Sequence, residues 1–148
     1  MDGFLMDESM YRQIILEHFK YPKNKVPAPI EGYETLEGFN PSCGDKVTIF
    51  VKVENNKISD IKFSGSGCSI CCASASIMTE ELVNLEVEKA IKKIDMFRLM
   101  VTKKENIENF EEAQAFVGVF AFPARFKCAF LSWDTLKKII QGAKWKSL

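Results

Sequence analysis

The sequence lacks an excess of charge: 20 Lys+Arg against 20 Asp+Glu leave a formal net charge of zero. That excludes the basic footprint of a nucleic-acid binder. It lacks an apolar run long enough to cross a bilayer, and its start, MDGFLMDESM, lacks the basic-then-apolar order of a secretion leader. A cytoplasmic protein with no membrane and no nucleic-acid partner is expected, in a compartment where thiols stay reduced. Histidine is nearly missing. The single residue, His18, falls in a candidate helix and is expected to be a surface or half-buried side chain rather than a ligand. No nucleophile motif points toward it, which leaves a Ser/His/Asp or Cys/His hydrolase without support. Carboxylates are plentiful but patternless, so a paired-acid mechanism has none either. GSG at 65–67 precedes a helix, but the lysine and hydroxyl of a phosphate-binding loop are missing. Repeats and low-complexity segments are missing too. Five cysteines, an odd number, argue against a disulfide framework.

What is present is a chain of 148 residues, 47% hydrophobic and 27% charged, long enough to bury a sizeable core in one domain over 1–148. A helix is expected from about Glu8 to Lys20, with Tyr11, Ile14, Ile15 and His18 at helical spacing and Asp7 or Ser9 as cap. Three prolines in YPKNKVPAPIEG end it and mark a linker. The period then changes to two. KVTIFVKV places Val47, Ile49, Val51 and Val53 on one face, Glu54 to Lys57 is a turn, and KISDIKFSG alternates again. GYETLEGFN is expected as a strand before that hairpin. From Cys68 onward helix formers dominate, in SASIMTEELV and EVEKAIKKIDMFRLMV. KKENIENFEEAQAFVGVFAF is less regular and is expected to hold short helices. A last helix starts in FPARFKCAF, with Pro123 in its first turn, and runs to about Gln141. This order gives an α+β fold, a three-stranded antiparallel sheet covered on one face by helices.

The cysteines carry the chemistry. Cys43 sits in NPSCGD, where Pro41 and Gly44 make a tight turn that core packing does not explain. Asp45 follows two residues later, close enough for a thiolate and a carboxylate to share an ion. The alternative is a plain turn with an Asx cap. Metal binding or thiol chemistry is preferred because other thiols are available. Cys68 follows Gly65 and Gly67 and falls near a helix N-terminus, where the dipole favours a thiolate. Cys71 and Cys72 lie in a run of small residues and are expected to pack the helix. CSIC has the spacing of a redox pair, but the neighbouring hairpin does not suit that motif. In the last helix Phe126, Ala129, Phe130, Trp133, Leu136 and Ile140 form an apolar stripe, and Cys128 falls roughly opposite its middle, off the expected core face. Arg125 and Lys127 flank it, and cations there would offset a negative metal–thiolate group.

MYRQIILEHFKYPKNK, NPSCGD, FSGSGCSI, ASASIMT and FPARFKCAFLSW resemble, in that order, the U-type iron–sulfur cluster assembly proteins, nearest to the SufU branch. The likeness runs from about Met10 to Ile140. Lys127 stands where an IscU-like protein carries a histidine, and TKKENIENFEEAQAF has room for the insertion of SufU-like proteins. The resemblance implies an α+β fold with a three-stranded antiparallel sheet, an N-terminal helix and a long C-terminal helix. It implies a site of Cys43, Asp45, Cys68 and Cys128 that binds zinc (Zn2+). It further implies that Cys43 accepts persulfide sulfur from a PLP-dependent cysteine desulfurase of the SufS kind, with Arg125 supporting the anion, before sulfur or cluster passes to downstream cluster-assembly proteins. The alternative it leaves open is a scaffold that assembles and transfers a 2Fe–2S cluster. Cys71 and Cys72 depart from the branch, which is expected to have no cysteine at either position.

Overall fold

The first helix forms where its cap allows. The computed structural model describes residues 7–27 and 29–146, the last four through the backbone alone; the leader expectation for 1–6 lies outside these residues. Asp7 is the N-cap of α1 (Glu8–Lys20), and its carboxylate accepts the Met10 N–H at 2.9 Å. The proline-rich linker then runs beside the sheet. The Val26 N–H donates to the Phe63 carbonyl at 2.8 Å and the Phe63 N–H to the Asn24 carbonyl at 3.0 Å, so this segment covers one sheet edge.

The sheet is antiparallel in the order β1 (Glu34–Asn40), β2 (Asp45–Glu54) and β3 (Lys57–Ser66). Asn55 and Asn56 turn the second hairpin at φ 53° and 62°, the left-handed region that asparagine tolerates and a two-residue hairpin loop requires. Val47, Ile49 and Val51 are buried on the inner face, as their alternation predicts. The pairing slips between Lys52 and Val53, and Val53 is only half-buried. Phe50 points to the opposite face and is buried there as well.

Three longer helices follow: α2 (Ser69–Leu82), α3 (Val87–Lys103) and α4 (Phe126–Lys146). The irregular stretch before α4 forms 3-10 segments at Ile107–Asn109, Glu112–Ala121 and Pro123–Arg125. Helices α2 and α4 pack on the sheet, α1 packs on α2 and the longest 3-10 segment, and α3 packs on α4. At the centre Phe97 of α3 and Trp133 of α4 stack with ring centroids 3.8 Å apart and planes 3° from parallel. Phe110 meets both rings edge-on, and Phe116 and Phe130 do the same to Phe97. Two points correct the sequence reading. The apolar stripe puts Cys128 off the core face, yet it is 0% exposed, because α4 is enclosed by β1, β2, α2 and α3 and one apolar stripe understates its buried surface. His18 is 4% exposed, sealed between α1, α2 and the 3-10 segment. Among the described residues no helix is long and apolar enough to cross a membrane.

Candidate metal centre

The centre is built where three chain segments meet. The β1–β2 turn supplies Cys43, which is exposed; its N–H donates to the Asn40 carbonyl at 3.3 Å. Gly44 completes the turn at φ +72°. Asp45 opens β2 directly opposite Asn40 and is fully buried. The end of β3 delivers Cys68. Gly67 makes this possible, because a Cβ on it would stand 2.5 Å from Asp45 Oδ1. With no side chain in the way, the Cys68 N–H donates to Asp45 Oδ1 at 2.9 Å. Cys68 is also the N-cap of α2, its Sγ accepting the Cys71 N–H at 3.4 Å. The first turn of α4 brings Cys128, with its Sγ 3.3 Å from Cys43 Sγ.

The structure therefore gathers Cys43, Asp45 and Cys128 with ligand atoms all within 4.8 Å of one another. Cys68 stands at the edge of that triad, turned toward its capping role while still interacting with Cys128. Burial pushes the Cys128 thiol well above the ordinary range, helped by hydrogen bonding with Cys43, Asp45 and Cys68. Arg125, exposed at the mouth, has its pKa raised by a hydrogen bond to Cys128 and by the charges of Cys68, Cys128 and Cys43. Lys127 turns elsewhere and lines a groove between β1 and α4. Cys71 and Cys72 are buried in the first turns of α2, and burial raises both thiols. The Cys72 S–H donates to the Gly67 carbonyl at 3.7 Å. Two sulfur donors and one carboxylate gathered from separate segments, with a third sulfur, Cys68, at their edge, fit a thiolate-rich metal site.

Sequence reasoning missed Asn40. It is 3% exposed, and its Nδ2 donates to Asp45 Oδ2 at 3.2 Å and to Cys128 Sγ at 3.7 Å. Its Oδ1 is buried with no hydrogen-bond partner, which costs about 1–3 kcal/mol in a folded protein. The only advance signal was that Asn40 both closes the expected strand GYETLEGFN and opens NPSCGD.

A second group lies where α1 meets α2 and the longest 3-10 segment. His18 Nδ1 is 2.7 Å from Ser76 Oγ and His18 Nε2 is 3.1 Å from Glu112 Oε1. Ser76 Oγ also accepts the Lys23 N–H at 2.7 Å. A carboxylate only accepts, so the Nε2–H donates to Glu112. Glu80 lies 4.0 Å from Nε2. Because Nε2 carries that proton, this group works as a clasp holding α1 to α2 and the 3-10 segment.

The family described as NifU-like N terminal domain matches residues 10–129. The zinc-dependent sulfurtransferase SufU of Bacillus subtilis (strain 168) is 38% identical over 133 residues, which is 88% of this chain and 89% of the relative. The iron–sulfur cluster assembly scaffold protein IscU of Streptococcus pyogenes serotype M1 is 37% identical over 134 residues, 89% of this chain and 83% of the relative. The crystal structure of the SUF-system protein FiSufU from thermophilic Fervidobacterium islandicum AW-1 superposes with a TM-score of 0.78 at 30% identity, covering 91% of this chain and 99% of that one.

Proposed function

Because this chain belongs to the NifU-like N-terminal domain family, we propose that it serves iron–sulfur cluster assembly as a zinc-dependent sulfur acceptor, taking persulfide sulfur from a PLP-dependent cysteine desulfurase. The observation that carries this is an exposed thiol, Cys43, 3.3 Å from a buried one, Cys128, with a buried carboxylate beside both. Cys43, Asp45, Cys68 and Cys128 are the proposed holders of zinc, which when bound keeps thiols ionised and shields them from oxidation.

The chain's own residues divide the work. Cys43 stands on a turn between two strands, where a small backbone shift costs less than moving a helical residue. Its thiolate attacks the outer sulfur of the donor's persulfide. A new S–S bond forms on Cys43 as the donor's S–S bond breaks, and the donor cysteine leaves as a thiolate. One sulfane sulfur changes hands and no electrons are gained or lost. Arg125, at the mouth, favours the anionic sulfurs on either side of that exchange. Cys68 and Cys128, one capping a helix and one buried, remain in place.

A desulfurase incubated with cysteine and this protein should place a persulfide on Cys43, read by mass spectrometry of peptides prepared without reductant. Cys43→Ala should abolish the transfer. Persulfide on Cys68 or Cys128 with Cys43 unmodified overturns the role of Cys43. The relative that bears the IscU name favours a second reading, a scaffold for a 2Fe–2S cluster. Anaerobic purification separates the two: zinc without colour supports the acceptor, and iron with sulfide charge-transfer bands supports the scaffold.

A further inference from the structure

We propose that Asn40 is the positioning residue of this centre, its side-chain amide tying Asp45 to Cys128 so that both present to one ion. The proposal rests on the metal-site reading above. Asn40 and Asp45 are directly paired across β1 and β2, which puts their side chains side by side where the hairpin closes. The amide then reaches α4, giving one donor to Asp45 Oδ2 at 3.2 Å and reaching Cys128 Sγ at 3.7 Å. Asp45 Oδ1 is held at the same time by the Cys68 N–H at 2.9 Å. Both carboxylate oxygens are thus tethered from opposite sides and the plane of the group is fixed. The amide has one sensible orientation, since the reverse would set Oδ1 against a carboxylate oxygen and a sulfur, acceptor against acceptors.

The unpartnered Oδ1 is the second argument. A buried amide satisfied at only one end carries a cost that packing alone does not explain. What a leucine there would lack is the pair of donors, and the donors face the two candidate ligands. A hydrogen bond to Cys128 Sγ also draws charge from that sulfur, which suits it to remain a ligand. Residues that orient ligands in this way typically set metal affinity by 10–100-fold.

The test uses the full chain, anaerobic and metal-free, titrated with Co2+ against a competing chelator, for the wild type, Asn40→Leu and Asn40→Ala. Both variants remove the donors; leucine fills the space and alanine leaves a cavity. Loss of donors predicts a 10–100-fold weaker Co2+ affinity in both variants. It also predicts a thiolate-to-metal charge-transfer band moved to longer wavelength, because the unbonded sulfur is more electron-rich. Metal-free Asn40→Leu should still melt cooperatively, with a midpoint lowered by loss of the bond to buried Asp45, so that its affinity is read on a folded protein. Wild-type affinity and band in both variants overturn the proposal. So does weakening in Asn40→Ala alone, which would make Asn40 a packing residue. A wild-type protein that binds neither Co2+ nor Zn2+ removes the metal-site reading and this proposal with it, whereas binding unchanged by the variants removes this proposal only.

Discussion

Gly67→Ala tests the construction of the centre at its tightest point. Gly67 sits over Asp45, and an added methyl would lie 2.5 Å from Oδ1, 3.1 Å from Cγ and 3.2 Å from Cβ of that residue. Ordinary contact needs roughly 3.5 Å, so the carboxylate must retreat by about 1 Å. It has no free space to enter, because Asp45 is fully buried and Asn40 already bonds its other oxygen. The bond most exposed to the shift is Cys68 N–H to Oδ1 at 2.9 Å. A hydrogen bond to a charged group contributes about 1.5–3 kcal/mol. The metal-free protein should lose a comparable amount, which for a chain of this size lowers the midpoint by about 2–4 °C per kcal/mol. Moving a proposed ligand off its position should weaken zinc binding by a further factor on the order of 10–100. Thermal melting of the metal-free protein and zinc competition against a chromogenic chelator measure the two effects. Gly118→Ala is the control, since a Cβ there meets nothing within 4 Å and should change neither quantity. Gly67→Ala with wild-type zinc affinity would refute the placement of Asp45 as a ligand held under Gly67.

Cys71→Ser and Cys72→Ala should keep stoichiometric zinc, because both thiols are buried in α2 as packing groups; an emptied site in either variant, by metal analysis, would put that cysteine in the ligand set. His18→Ala should cost about 2–4 kcal/mol in urea unfolding, since a buried ring and two hydrogen bonds are lost together. Glu112→Ala should cost under about 1 kcal/mol in the same assay, because its carboxylate is half-exposed to water. Equal costs for the two would mean that the ring does not seat α1.

Local chemistry made much of this legible in advance. Asp7 and the prolines after Lys20 bound α1 at the expected residues, and alternation around two asparagines located the second hairpin. NPSCGD and GSGC were recognisable because turn residues surrounded the thiols. What stayed hidden depends on partners distant in sequence. Cys128 reads as an outward residue on a helical wheel, since nothing local says that α4 is enclosed on several sides. His18 is sealed by Ser76 and Glu112, 58 and 94 residues away. Asn40 gains its meaning from Cys128, 88 residues away, and Gly67 from the Asp45 carboxylate it leaves room for.

The same long separations order events during synthesis. Cys43 and Cys128, whose sulfurs end 3.3 Å apart, are 85 residues apart in the chain. At roughly 5–20 residues per second, Cys43 is made about 4–17 s before Cys128. Through that interval the nascent chain carries Cys43, then Cys68, Cys71 and Cys72, with no α4 to cover them. An ion captured then would be held by an open set that includes the two packing cysteines, and closure of α4 would have to move it or expel it. The finished site therefore waits for α4, and a truncated chain that stops short of α4 is expected to take up metal through a different set of thiols from one that includes it.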